Sequence, residues 1–418
     1  MAAASVRRAA RRGGIEGRSI RLAWCPLLVA ATFVASGVLA PVAAQEAVRP
    51  EIGRPLQAAQ QLVGARRFGA ALAKVREADA AGPRTPNERA LIERMRIAAA
   101  LGAGEIDVAA RAYDALAADG TRPGGAEAAR TLEAIAAGYY RAGQYARAAQ
   151  WAERGAREGA ASPALRALQI RSLFQAGDVA AAQRELTRDV TAVERSGGTP
   201  ADDTLRLLLA MAQKQGDAAA FDAALEKILA HHPTPADWAT RLDRLQRRPG
   251  FAGRLTLDRL RLLQATGGLK RADDVVEMAQ LALQADAGAE ARRVVEQGYA
   301  TGVLGNGPDA ARHERLRALV ARASGDAART RAADADSRVA AALDRAYAGD
   351  AKAAAVAIRD ALAGGGLKRP DDARLHLAIA QWLAGDRAGA IATFRAVGGS
   401  DGTADLARLW TLHLRRGS

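Results

Sequence analysis

The chain has 418 residues and a mass of 43.6 kDa; about a quarter of it is alanine, 49% of it is apolar and only 4% is aromatic. That balance excludes disorder, because the apolar content is too high. It also excludes a β-sandwich or barrel, whose strands need β-branched and aromatic side chains, and it suits thin helices packed through small residues. The net charge of +14 is carried almost wholly by arginine interspersed with acids, as in Arg89–Glu93 and Glu127–Arg130; pairs at that helical spacing belong to a solvated helix surface.

The first element in chain order is an export leader. Residues 1–21 carry six arginines against one acid, Glu16, and an apolar stretch follows from Leu22 to Ala40. Pro41-Val42-Ala43-Ala44-Gln45 then supplies the small residues a signal peptidase requires, which completes a signal peptide over residues 1–44. The alternative is an uncleaved inner-membrane anchor facing the periplasm, since the stretch approaches the length of a span. Arg7-Arg8 and Arg11-Arg12 lack the large apolar residues that follow a twin-arginine signal. The single cysteine, Cys25, lies behind Trp24 and ahead of most of the apolar stretch, which excludes a lipidation site. Cleavage would leave no cysteine, hence no disulfide framework and no thiolate metal site. It would leave 54 basic against 45 acidic side chains in a periplasmic protein, where nucleic acid is not an expected partner.

From Leu56 onward apolar residues recur at i, i+3, i+4 and i+7, with breakers between helices rather than inside them. A short phrase repeats: a glycine, a polar residue, one more residue, then an alanine-rich helix. It occurs at Gly104-Glu105, Gly143-Gln144, Gly177-Asp178, Gly216-Asp217, Gly349-Asp350 and Gly385-Asp386, with Arg66-Arg67-Phe68 in the same place of an earlier copy. The glycine supplies a left-handed backbone that ends one helix, and the adjacent Asp can cap the next. Such helix pairs cannot bury their apolar faces alone, so copies must stack.

In its clearest copy the pattern reads Leu132, Ile135, Ala136 and Tyr139 in a first helix, Gly143 and Tyr145 at the turn, and Ala148, Ala152 and Gly155 in a second. The last copy reads Arg374, Leu377, Ala378, Gln381, Gly385-Asp386, Ala390, Phe394 and Val397, and Pro83 and Pro233 stand where second helices should end. This resembles the tetratricopeptide repeat family. The resemblance implies an all-α, right-handed α-solenoid of stacked antiparallel helix pairs. It covers about 55–235 and 336–400, and lacks the family's usual tryptophan. The expected organisation is a leader over 1–44, an N-terminal array over 45–235, degenerate helical repeats over 236–335, and C-terminal repeats with a cap helix over 336–418. Extra loop residues fall at Gly120–Gly125 and Ser196–Pro200. Gly267-Gly268, Gly302 and Gly325-Asp326 are candidate turns in the degenerate stretch, and Thr403 to Arg416 reads as a solvating cap.

A search for chemistry yields no catalytic residues, no cofactor site and no metal site. His231-His232-Pro233 has no HExxH spacing and reads as a helix end, and His376 reads as structural. No nucleophile elbow, phosphate-binding loop or dinucleotide fingerprint is present. Asp202-Asp203, Asp273-Asp274 and Asp371-Asp372 each begin a helix, where acids complement the macrodipole.

What remains is a binding surface. The resemblance implies that first helices line a groove and that their non-consensus positions meet the ligand. Those positions hold Arg130, Tyr140 and Arg141, then Arg171, Phe174 and Gln175, then Arg206 and Lys214. Arginine beside aromatics is the composition of binding hot spots. It suits an acidic or extended peptide, or an anionic polysaccharide; the family's Lys/Asn peptide-carboxylate clamp is absent. The expected function is a non-enzymatic scaffold binding a protein partner in the bacterial cell envelope. The alternative is an accessory protein of polysaccharide export or outer-membrane assembly whose groove binds a polymer. Membrane contact is expected only through an uncleaved N-terminal segment.

Overall fold

The computed structural model describes residues 48–326 and 334–415. The leader, Cys25 and the cleavage site at Ala44 lie outside the described residues. Within them the chain is all-α, with twenty α-helices and no strand. The first ten form five pairs: α1 (Pro50–Gly64) with α2 (Phe68–Asp79), α3 (Pro86–Ala103) with α4 (Ile106–Ala118), α5 (Gly125–Arg141) with α6 (Tyr145–Arg157), α7 (Pro163–Gln175) with α8 (Val179–Arg195), and α9 (Asp202–Gln215) with α10 (Ala218–His231). Turns this short force antiparallel partners, and the pairs stack as an α-solenoid.

All six repeated turn glycines take the left-handed conformation, with φ between +67° and +106°, and Arg66 adopts it at φ +57°. Asp178, Asp217 and Asp386 then cap the following helices by accepting from the backbone N–H three residues on, whereas Asp350 makes no such bond. A second set of glycines works differently. The first residue of each early second helix is a large apolar knob that presses on a small residue of the next first helix. Phe68 lies over Gly102, and Ile106 over Gly138; a Cβ there would stand 2.3 Å and 2.6 Å from those side chains. Each knob fixes the spacing between successive pairs.

The second half departs from the ladder over 236–335 and pairs its helices regularly again beyond it. It comprises α11 (Pro235–Gln246), a 3-10 turn at Gly253–Leu255, α12 (Thr256–Ala265), α13 (Ala272–Gln284), α14 (Gly288–Ala300), α15 (Ala310–Asp326), α16 (Ala335–Tyr347), α17 (Ala351–Gly364), α18 (Pro370–Leu383), α19 (Arg387–Arg395) and α20 (Thr403–Arg415). Two of the expected degenerate turns are turns, at Gly267 and Gly302, both with φ +71°. Gly325-Asp326 is not: both residues belong to α15. The turn between α13 and α14 is made instead by Asp286, at φ +54°. Asp tolerates that region better than most residues.

The helix α12 explains why 236–335 fits the repeat poorly. Every residue from Thr256 to Leu263 is buried, charged ones included. Arg261 donates from Nε and Nη2 to Glu290 on α14 at 2.7 and 2.6 Å, and from Nη1 to Asp258 at 2.7 Å. Asp258 also lies 3.1 Å from His376 Nε2 on α18. Burial alone would raise the Asp258 carboxyl, but His376 and Arg261 hold it well below the usual carboxylate range. These pairs let a charged helix run through the interior by offsetting its desolvation cost.

The C-terminal helix closes this half. It was expected as a solvating cap, yet Leu406, Leu409 and Trp410 are fully buried and Leu414 nearly so. Its apolar face packs on α10, α12 and α18. Trp410 stacks on Phe394 at 5.5 Å between ring centres and meets Trp382 at 4.9 Å. Polar ties between distant segments reinforce the closure: Arg254 reaches Asp372 at 2.8 Å and Asp401 at 2.6 Å, and the Ala252 N–H donates to the Asp401 carbonyl at 2.9 Å. The apolar core is accordingly one cluster from Leu229 to Leu414. In the first half it falls into three, from Ile52 to Leu168, from Ile170 to Ala224, and around Val190, Leu205 and Ile228.

Candidate partner-binding groove

The first helices α5 and α7 lie side by side, and α9 follows them in the stack, reached from α7 through Phe174 and Lys214. On α5, Leu132, Ile135, Ala136 and Tyr139 are buried. Arg130 and Arg141 lie eleven residues, about three turns, apart and therefore share the open face; both are exposed. Arg130 lies back along its own helix, donating to the Ala126 carbonyl at 3.2 Å. Arg171 on α7 does the same to Ala167 at 3.4 Å. Tyr140 is half-buried, edge-on to Tyr145 with ring centres 5.2 Å apart.

Phe174 and Lys214 join α7 to α9: the Lys214 ammonium stands 4.5 Å from the centre of the Phe174 ring, within the range of a cation–π attraction. Arg206 behaves differently. It chelates Asp237 with two bonds of 3.2 Å and takes Asp202 at 2.9 Å. Its guanidinium is pushed above its ordinary value by Asp237 first and Asp202 second. It is thus a strut between α9 and α11. Asp237 is in turn fixed by a capping box with Thr234 at the start of α11. Of the eight residues predicted to meet a ligand, Arg130, Arg141, Arg171, Gln175 and Lys214 are exposed, Tyr140 and Phe174 are half-buried against the apolar core, and Arg206 is held in ion pairs. Arg130, Arg141, Arg171 and Lys214 have no carboxylate partner among the described residues.

Sequence reasoning passed over the far end of this face. A cleft of about 430 Å³ lies where the α5–α6 turn meets the end of α7, lined by Gly143, Gln144, Tyr145, Arg147 and Gln175 among others. Arg147 is oriented by Asp107 at 2.9 Å and Gln144 at 3.0 Å. The same Asp107 accepts from the Tyr139 hydroxyl at 2.8 Å. Burial, with that bond, pushes the Tyr139 phenol up to about 12, so it stays a neutral donor. The available signal was that Tyr145 occupies the place of the knobs Phe68 and Ile106, but the next first helix offers no glycine beneath it. Its ring meets Tyr140 instead. Cations, aromatic rings and amides along three helices can hold an extended chain bearing carboxylates by charge, stacking and hydrogen bonds.

The titratable cluster of the second half is arranged otherwise. Asp258, Arg261 and Glu290 bond to one another inside the fold, and Asp344 accepts from the N–H groups of Ala289 and Glu290 at the start of α14. These groups hold helices together. Among the described residues no group of three metal-binding side chains occurs, and no helix is long and apolar enough to cross a membrane.

No protein-family model matches the chain, and no curated protein matches it. Solved structures do. The pentatricopeptide repeat protein PPR10 from maize aligns over 88% of this chain and 48% of its own, at 15% identity and a TM-score of 0.31. Yeast Tom70 aligns over 87% of this chain and 95% of its own, at 9% identity and a TM-score of 0.25. The chain thus spans about half the length of the maize protein.

Proposed function

We propose that the chain is a non-enzymatic repeat scaffold of the bacterial cell envelope, exported by the leader over 1–44. Its groove on α5, α7 and α9 holds an extended, carboxylate-bearing segment of a partner protein. The observation that carries this reading is the set of four cations without carboxylate partners on three successive first helices, interleaved with Tyr140, Tyr145 and Phe174. Aromatic anchors supply contact area at small entropic cost, and unpaired cations select for negative charge.

Two experiments test it. Sequencing the N-terminus of the exported protein should find a start near Gln45 in the soluble periplasmic fraction; an intact Met1 start in the membrane fraction contradicts a cleaved leader. A partner recovered from envelope extracts with the wild-type chain should bind Tyr140→Ala and Phe174→Ala proteins about ten-fold or more weakly. Arg171→Ala should mainly reduce the salt-sensitive association rate. If all three variants retain wild-type affinity, the groove is not the binding surface. Competition by a soluble anionic polysaccharide, rather than by a glutamate-rich peptide, would assign the groove to a polymer instead.

A further inference from the structure

A second site lies away from that groove, at the seam where α20 comes back onto α10. Closure leaves a cavity of about 650 Å³ there, walled by α10 on one side and by α19 and α20 on the other, a size that suits a small organic ligand. Its apolar lining includes Ala223, Phe394, Val397 and Leu412. Four cations stand around it, Lys227, Arg395, Arg408 and Arg415, against one lining carboxylate, Glu226.

The carboxylates at the seam are already engaged. Glu226 is shared by Arg241 and Arg408, at 2.9 Å from each. Asp405 is shared by Arg248 and Arg408. Glu194 takes Lys227 at 2.5 Å and His231 at 3.2 Å. Each acid serves two basic groups, so the seam keeps an excess of positive charge. Arg395, the last residue of α19, is exposed and has no carboxylate partner among the described residues.

We infer that this seam is a binding site for a small amphiphilic anion, whose apolar body rests on Phe394, Val397 and Leu412 and whose acidic head meets Arg395. With Ala223 of α10 on the opposite wall, such a ligand touches α10 and α20 together and therefore stabilises the closed form of the second half. The site is independent of the α5–α7–α9 groove and stands or falls without it.

The test uses the purified protein and two probes with the same aromatic body, one charged and one neutral: anilinonaphthalene sulfonate and N-phenylnaphthylamine. Calorimetric titration should give one sulfonate site per chain, weakened by added salt, and binding of the neutral probe about ten-fold or more weaker. Arg395→Glu should weaken sulfonate binding by a similar factor. Ala223→Trp, which places an indole in the cavity and leaves every charge in place, should weaken it by about ten-fold or more. Unchanged melting of both variants shows that they fold. Equal affinity for both probes, several weak sites per chain, insensitivity to both substitutions, or displacement of the sulfonate by a glutamate-rich peptide at lower concentration would each overturn the assignment.

Discussion

The two halves of the molecule are built from the same kind of helix but are stabilised differently. From α1 to α10 each pair touches its neighbours in sequence, and the apolar core breaks into three clusters. From α10 to α20 one cluster spans the whole half, and residues more than a hundred positions apart are bonded, as in Arg254 with Asp372 and Asp258 with His376. An open array distributes its stability locally, so damage stays local. A closed unit gains or loses it as a whole. The open half also leaves its first-helix faces free, whereas the second half runs α12 through its own interior. That is why the candidate groove belongs to the first half.

The largest effect should come from breaking the closure. Trp410→Ala removes a fully buried ring that meets Phe394 and Trp382. It should cost about 3–5 kcal/mol in urea unfolding, confined to the transition of the second half. A single shared transition for both halves would sink the comparison.

Next comes the knob-and-notch spacing of the open half. Gly138→Ala would place a Cβ 2.6 Å from the Ile106 side chain, and should lower the stability of the first half by about 1–3 kcal/mol. Combining it with Ile106→Ala should recover part of that loss, measured as a double-mutant cycle. Strict additivity would mean that the two residues do not press on each other.

A turn substitution should follow. Gly177 has φ +86°, where a β-branched residue is strained, so Gly177→Val should cost about 1–2 kcal/mol or more and disturb only α7 and α8. A neutral effect on melting would contradict the turn assignment.

The smallest effect is a shared sensitivity to acid. Arg49 and the Thr85 N–H hold the Glu88 carboxyl down to about 2 in the first half. In the second half, Thr403 and Arg254 hold Asp401 down to about 2. A carboxylate depressed in the folded state stabilises it above the unfolded value, near 4. That contribution declines as pH falls toward the folded value. Both halves should therefore weaken between about pH 4 and 2. Glu88→Gln should flatten the response of the first half only, and Asp401→Asn that of the second only, in pH-dependent melting. A change in the other half would show that the two are coupled.

Much of the ladder was legible in the sequence, because turn glycines leave a local mark: all six repeated glycines occupy the left-handed region. Pro83 and Pro233 follow α2 and α10 as expected, and the three Asp pairs fall in the first turns of α9, α13 and α18. What escaped depends on partners far away in the chain. Thr256–Leu263 reads as part of a degenerate helical repeat until Glu290 and His376 are seen to bond its charged side chains. The apolar stripe of α20 gives no hint of whether it meets solvent or α10. Gly102 and Gly138 sit inside helices, where glycine has no turn to make, so their role appears only when Phe68 and Ile106 are placed over them. Asp286 makes its turn without glycine, and a search for glycines passes it by. For the groove, spacing along each helix left five of the eight residues exposed, but it could not show that Tyr140 and Phe174 would lean on the core, or that Asp237, thirty-one residues on, would bind Arg206.

Hydrogen exchange read by mass spectrometry, comparing the full chain with one lacking residues 403–418, tests the central claim most directly. If α20 closes the second half, its loss should speed exchange from about residue 229 to 400, including the buried helix Thr256–Ala265, and leave Pro50–Arg157 as protected as before. If faster exchange is confined to α19 and its neighbouring loop, α20 is only a terminal cap and the two halves do not differ in the way described.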